Sequence, residues 1–163
     1  MILYFLRHGL AGDRISWQEG DHVRPLSDKG KERMHQEAGK IASLDLGIDC
    51  IITSPLTRAL QTAQIVAEHL GMQDDLIVDE RLAPGFDHDS LAEILHAYPK
   101  VKSLLLVGHE PDFSETISAI IGGGRIVCKK GSLAKVNIAE ETMEGVLEWL
   151  APPGLLTMDS GRI

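Results

Sequence analysis

Positive charge is in short supply. The chain has 16 Lys and Arg against 24 Asp and Glu, a formal net charge of −8 with His neutral. That balance argues against nucleic acid as a main partner, while leaving room for a local basic pocket. Cysteine is scarcer still. Cys50 and Cys128 are the two in the chain, and neither lies in a Cys-x-x-Cys pair. A zinc or thiol redox motif is therefore excluded, and a disulfide framework is not expected. Aromatics make up only 4%, so Leu, Ile, Val and Ala must build the core. Long apolar runs are missing too: the one at the start, Met1 to Leu6, stops at Arg7. It is too short for a signal-peptide core or a membrane span. These absences point to a reducing, cytoplasmic setting with no membrane partner.

What is present is ordinary for a globular protein. Apolar residues make up 44% and charged residues 25% of 163. A chain of that length forms one domain with enough interior to fold without a disulfide or metal. No repeat, linker or low-complexity tract divides it, so we read one domain over residues 1–150 and an irregular tail over 151–163.

The periodicities predict strands alternating with helices. Ile2 to Leu6, Cys50 to Ile52, Leu76 to Val78 and Ser103 to Val107 are short apolar runs of the kind buried on both faces. Ser27 predicts a helix N-cap, and Ser54-Pro55 reads as the cap and first residue of a second helix closed by Gly71. Leu91 to Tyr98 and Pro111 to Ile121 read as shorter helices. Leu133 to Ile138 and Met143 to Trp149 read as a late hairpin. The sum is an α/β domain with a parallel sheet covered on both faces.

In such sheets ligands bind beyond the C-terminal ends of the strands. Arg7 and His8 follow the first strand there. Ser54 follows the second, with Arg58 one helical turn on. Glu80 follows the third, and His109 follows the fourth. Arginine matches phosphate oxygens with a planar fork that stays charged. A neutral imidazole nitrogen can attack phosphorus. Arg7, Arg58 and a cationic His109 would then hold the charge on the transferring group. Each residue alone has a plainer reading: Ser54 as a cap, Arg58 as a surface charge, His109 as part of a helix start. Their coincidence at equivalent strand ends carries the argument. His22, His35, His69, His88 and His96 lack that placement.

Leu6-Arg7-His8-Gly9 resembles the RHG signature of the histidine phosphatase superfamily, which includes the cofactor-dependent phosphoglycerate mutases. Ser54-Pro55-Leu56-Thr57-Arg58-Ala59-Leu60-Gln61-Thr62-Ala63 resembles its second block, SPxxRAxxTA. Val107-Gly108-His109 resembles its third. Within the superfamily the chain is most similar to the small SixA-type phosphohistidine phosphatases, through Arg24-Pro25-Leu26-Ser27, Leu82-Ala83-Pro84-Gly85 and Gly108-His109-Glu110-Pro111-Asp112. The resemblance implies a three-layer α/β/α sandwich with a mostly parallel six-stranded sheet. It implies that His8 becomes phosphohistidine and that Arg7, Arg58 and His109 bind the phosphate, with no cofactor and no metal. Leu10 and Ala11 depart from the family's usual residues after RHG, and the usual downstream Asn is missing. For the proton donor three readings stand open: Glu80, the preferred one, Glu110 directly after His109, or no strong acid at all.

Only Asp79 to Ser90 separates the third strand from the next helix, too little for a lid domain. An open pocket suits a phosphorylated side chain on a protein, so the expected partner is a phosphohistidine protein. The alternatives are a phosphatase of small phosphomonoesters and a silent phosphate-binding module. A metallohydrolase using His8 and His109 is disfavoured, because nearby arginines repel a divalent cation.

Overall fold

The computed structural model describes residues 1–157. Strands β1 (Ile2–Arg7), β2 (Cys50–Thr53), β3 (Leu76–Val78), β4 (Ser103–Gly108), β5 (Leu133–Ile138) and β6 (Gly145–Ala151) form one six-stranded sheet in the order β3-β2-β4-β1-β5-β6. β3, β2, β4 and β1 are parallel to one another, and β5 and β6 extend the sheet antiparallel. Helices α1 (Asp28–Ser43), α2 (Thr57–Leu70), α3 (His88–Ala97), α4 (Asp112–Ile120) and the short α5 (Pro153–Leu156) complete the chain.

Alternation along the central strands produces the layers. Tyr4, Leu6, Ile51, Leu105 and Val107 face a core shared with Met34 and Ile41 of α1 and with Ala63 and Val66 of α2. Leu3, Phe5, Ile52, Leu104 and Leu106 face the opposite core, shared with Leu91 and Ile94 of α3 and with Phe113 and Ile117 of α4. A side chain of this size, fully buried, contributes about 1.5–3 kcal/mol. Both faces of the sheet are therefore held, and the three-layer α/β/α architecture is as the sequence implied.

Several boundaries differ. Ser27 does cap α1, its hydroxyl accepting from the Gly30 amide at 3.0 Å, and Gly71 ends α2 in the left-handed region. Ser54 does not cap α2. That helix starts at Thr57 with no side-chain cap, because Leu56 is still extended at a ψ of 133°, and the Ser54 hydroxyl accepts from the Leu56 amide ahead of the helix. The second hairpin strand begins at Gly145, later than Met143, because Met143 takes a positive φ of 59° in the turn. Residues 151–157 are not irregular: Ala151 ends β6, and α5 buries Leu156 in the core under α1 and α2. The rest of the expected tail, 158–163, lies outside the described residues. No helix among the described residues is long and apolar enough to cross a membrane.

Candidate active site

The strand order brings three chain segments to one sheet edge. Arg7 pairs in register with Gly108, and Thr53 with Val107. The residues that follow, His8, Ser54 and His109, therefore leave the sheet side by side. The His8 amide donates to the Gly108 carbonyl at 3.1 Å, and the Ser54 amide to the Val107 carbonyl at 3.0 Å. α2 supplies the next layer. Thr62 accepts the Gly9 amide at 3.1 Å and donates to the Arg58 carbonyl at 2.7 Å. Gln61 accepts the Leu26 amide at 2.8 Å. The segment after His8 is drawn onto α1, where the Ser27 amide donates to the Leu10 carbonyl at 3.0 Å. Gly30 permits that approach, since a Cβ there would run into the Leu10 carbonyl.

The result is an open cleft of about 750 Å³ lined by Arg7, His8, Arg58 and His109, with Arg14, Arg24 and Lys130 among the residues around it. His8, Arg58 and His109 are buried. The two imidazole rings lie 5.2 Å apart, centre to centre. Nδ1 of His8 is 2.8 Å from the Gly9 carbonyl, which can only accept, so Nδ1 carries the proton. Nε2 is then a bare lone pair, and it accepts from Nε of Arg58 at 3.3 Å. Burial, and then the charges of Arg58 and Arg7, push the His8 pKa down to about 3, against the hydrogen bond to the Gly9 carbonyl. The ring is therefore neutral and nucleophilic at physiological pH.

Arg7 donates to the Cys128 carbonyl at 2.8 Å. Arg58 turns its outer edge to Asp21, meeting the backbone carbonyl at 2.9 Å and the carboxylate at 3.0 Å. The other carboxylate oxygen of Asp21 accepts from Arg24 at 3.0 Å. Desolvation raises the Asp21 carboxyl, but the bond to Arg24 and the charges of Arg58 and Arg24 outweigh it and hold the group below its ordinary value. Burial, followed by the charge of Arg58, brings His109 down to about 4. In the free cleft burial, with the arginine charges, therefore favours a neutral His109, whereas the sequence reading has a cationic ring once a phosphoryl group is held.

Of the expected site residues, the structure gathers Arg7, His8, Arg58 and His109 and does not gather Glu80. Glu80 opens a tight turn whose Leu82 is buried and whose Asp79 pairs with Arg81 at 2.6 Å. The Glu80 side chain is exposed, and the cleft is lined by Glu110 instead. Both carboxylate oxygens of Glu110 accept from Ser114, one from its amide at 3.0 Å and one from its hydroxyl at 2.7 Å. Two site residues were missed. Asp21 lies outside every strand end and helix that the sequence predicts, and its spacing of three from Arg24 is the available signal. Ser54 was read as a cap, yet its hydroxyl lies 2.7 Å from Nε2 of His109. Among the described residues, no cluster of three or more His, Cys, Asp or Glu is placed to hold a metal ion.

A bare imidazole nitrogen between two arginines can take a phosphoryl group and return it to water. Known proteins resemble the chain in sequence and fold. A family model described as histidine phosphatase superfamily, branch 1, matches residues 3–109. An uncharacterised protein of Picosynechococcus is 42% identical over 130 residues, 76% of this chain and 74% of that protein. The phosphohistidine phosphatase SixA of Escherichia coli is 26% identical over 161 residues, 97% of this chain and 98% of its own. The solved structure of the protein histidine phosphatase SixA complexed with tungstate superposes with a TM-score of 0.85 at 25% identity, covering 96% of this chain and 99% of that one. A mycobacterial glucosyl-3-phosphoglycerate phosphatase has the same fold, with a TM-score of 0.73 at 17% identity over 93% of this chain and 99% of its own. With the family match running from inside β1 to His109 itself, the chain belongs to the histidine phosphatase superfamily.

Proposed function

We propose that this protein is a metal-independent phosphatase that removes phosphate from phosphohistidine on a partner protein. The observation that carries the reading is the bare Nε2 of His8, held neutral between Arg7, Arg58 and His109. Nε2 attacks phosphorus as the bond from phosphorus to the substrate imidazole breaks, and the departing ring keeps the electron pair and a proton. His8 is left as phosphohistidine. Water then attacks phosphorus, the bond to His8 breaks, and inorganic phosphate leaves. Arg7 and Arg58 hold the charge on the equatorial oxygens through both steps. Neither step routes through a metal, and the two guanidinium groups would repel a divalent cation.

Two features support a protein substrate. The connection from β3 to α3 is a tight turn and a short loop, and the cleft stays open to a side chain carried on a folded surface. The likeness to SixA also extends over nearly the whole of both chains. The test is turnover of a phosphohistidine protein beside a panel of small phosphomonoesters, with and without chelator. Preference for the phosphohistidine protein, unchanged by chelator, is expected. Preference for a small phosphomonoester would replace this reading with a small-molecule phosphatase, and no turnover at all with a binding module.

A further inference from the structure

The structure assigns Ser54 as the positioning residue that fixes which nitrogen of His109 bears the proton, so that the ring offers Nδ1–H to the phosphoryl group. This rests on the phosphate-binding reading of the cleft. Ser54 is fully buried at the end of β2, and its hydroxyl oxygen has two neighbours. The Leu56 amide donates to it at 3.2 Å, and Nε2 of His109 lies 2.7 Å away. Two arrangements of protons fit the second contact. If His109 carried its proton on Nε2, the Ser54 oxygen would accept from both nitrogens. Its own O–H would then have no acceptor among the described residues. Nδ1 of His109 would present a lone pair towards an anion. If Ser54 donates to Nε2 instead, the hydroxyl accepts once and donates once, and the proton of His109 sits on Nδ1.

The second arrangement also accounts for an otherwise unexplained atom. His109 is 97% buried, and its Nδ1 has no hydrogen-bond partner among the described residues. A buried N–H without a partner is costly, and a phosphoryl oxygen brought against the His109 ring would relieve that cost in a charge-assisted hydrogen bond. Ser54 thus keeps the Leu56 amide at the entry to α2 and gives its own proton to His109. A serine at that point of the second block orients a ring that arrives from the end of β4.

The experiment reads the tautomer directly. In histidine-labelled protein at neutral pH, long-range nitrogen–proton correlations are expected to show His109 protonated on Nδ1 and bare on Nε2. A bare Nδ1 would overturn the assignment without any variant being made. Ser54→Ala is expected to shift the ring towards the Nε2–H form that a free histidine side chain favours. It should also weaken tungstate binding by about 10- to 100-fold. In a cycle with His109→Ala, the Ser54→Ala loss should largely vanish, since Ser54 acts through that ring. Additive losses, or an unchanged tautomer in Ser54→Ala, would refute the role. An Nδ1–H spectrum in a protein that turns over no phosphorylated substrate would leave the Ser54 assignment standing and sink the phosphatase reading instead.

Discussion

Glu37→Gln is expected to flatten the pH dependence of folding stability between about pH 4.5 and 8. Glu37 sits on the inner face of α1 and is 3% exposed. Its Oε2 has no hydrogen-bond partner among the described residues, and its carboxyl lies against Gly131. The Gly131 amide in turn donates to the carbonyls of Arg7 and His8, at 3.1 and 3.2 Å. Burial pushes the Glu37 pKa from an ordinary 4.5 up to about 8, against the charge of Arg33. Between those values the folded chain holds a proton that the unfolded chain has released, so stability falls as pH rises from 4.5 to 8. At about 1.4 kcal/mol per pKa unit, the linked loss reaches up to about 5 kcal/mol over that window. A glutamine carries no titrating proton, so whatever its packing costs is independent of pH. Urea melts of both proteins at pH 5, 6, 7 and 8 give the difference curve. Parallel curves would refute the argument. A wild-type curve that falls relative to Glu37→Gln as pH rises confirms a neutral carboxyl behind the catalytic strand.

His8→Ala is expected to abolish turnover together with the acid-labile, base-stable phosphoryl label of quenched enzyme; full activity would remove His8 from the mechanism. Arg58→Ala should lose about 2.7–4 kcal/mol of transition-state stabilisation, roughly a hundred- to a thousandfold in rate, while circular dichroism stays native. Glu80→Gln should leave kinetics unchanged, since Glu80 lies outside the cleft, whereas Glu110→Gln should slow alkyl-phosphate hydrolysis more than phosphohistidine hydrolysis; equal effects on both substrates would refute a donor role for Glu110. His8 and His109 stay neutral when folded, down to about 3 and 4, while the unfolded rings protonate below about 6.5. Stability should therefore fall as pH drops from 6.5 towards 4, and a His8→Asn, His109→Asn double variant should lose less in acid melts.

The layers and the four central site residues were legible because both are local signals. A short apolar run ended by a polar pair marks a strand and its catalytic end, whatever the rest of the chain does. What was illegible depends on contacts between distant segments. Asp21 joins the site only because a loop folds back onto α2, 37 residues away in sequence. Ser54 satisfies every local rule for a cap, and only the arrival of β4 beside β2 gives its hydroxyl a second partner besides the Leu56 amide. Glu80 occupies the expected point in the chain, but a single tight turn decides its direction: burying Leu82 sends the neighbouring carboxylate into solvent. The neutral state of His109 was equally beyond reach, since it arises from burial together with arginines on β1 and α2.

These electrostatics bear on the leaving group. Burial, with the charges of Arg58 and Arg7, keeps both rings neutral in the free cleft, so His8 needs no base to release its lone pair. Nε of Arg58 donates to that lone pair, and an incoming phosphoryl oxygen can take over the donor while Asp21 holds the other edge of the guanidinium in place. The nucleophile is thereby uncovered as the substrate is bound. In the proposed reaction the bond that forms and the bond that breaks are both phosphorus–nitrogen bonds to imidazole, and the departing ring accepts a proton near its free pKa of about 6.5. An alkoxide needs a strong, well-placed acid to leave. The carboxylate nearest that task, Glu110, already accepts from Ser114 with both oxygens. To donate, it would have to be protonated and turned away from that residue. A cleft so arranged favours imidazole over alkoxide as leaving group, through the balance between nucleophile and leaving group rather than through any contact that recognises the ring.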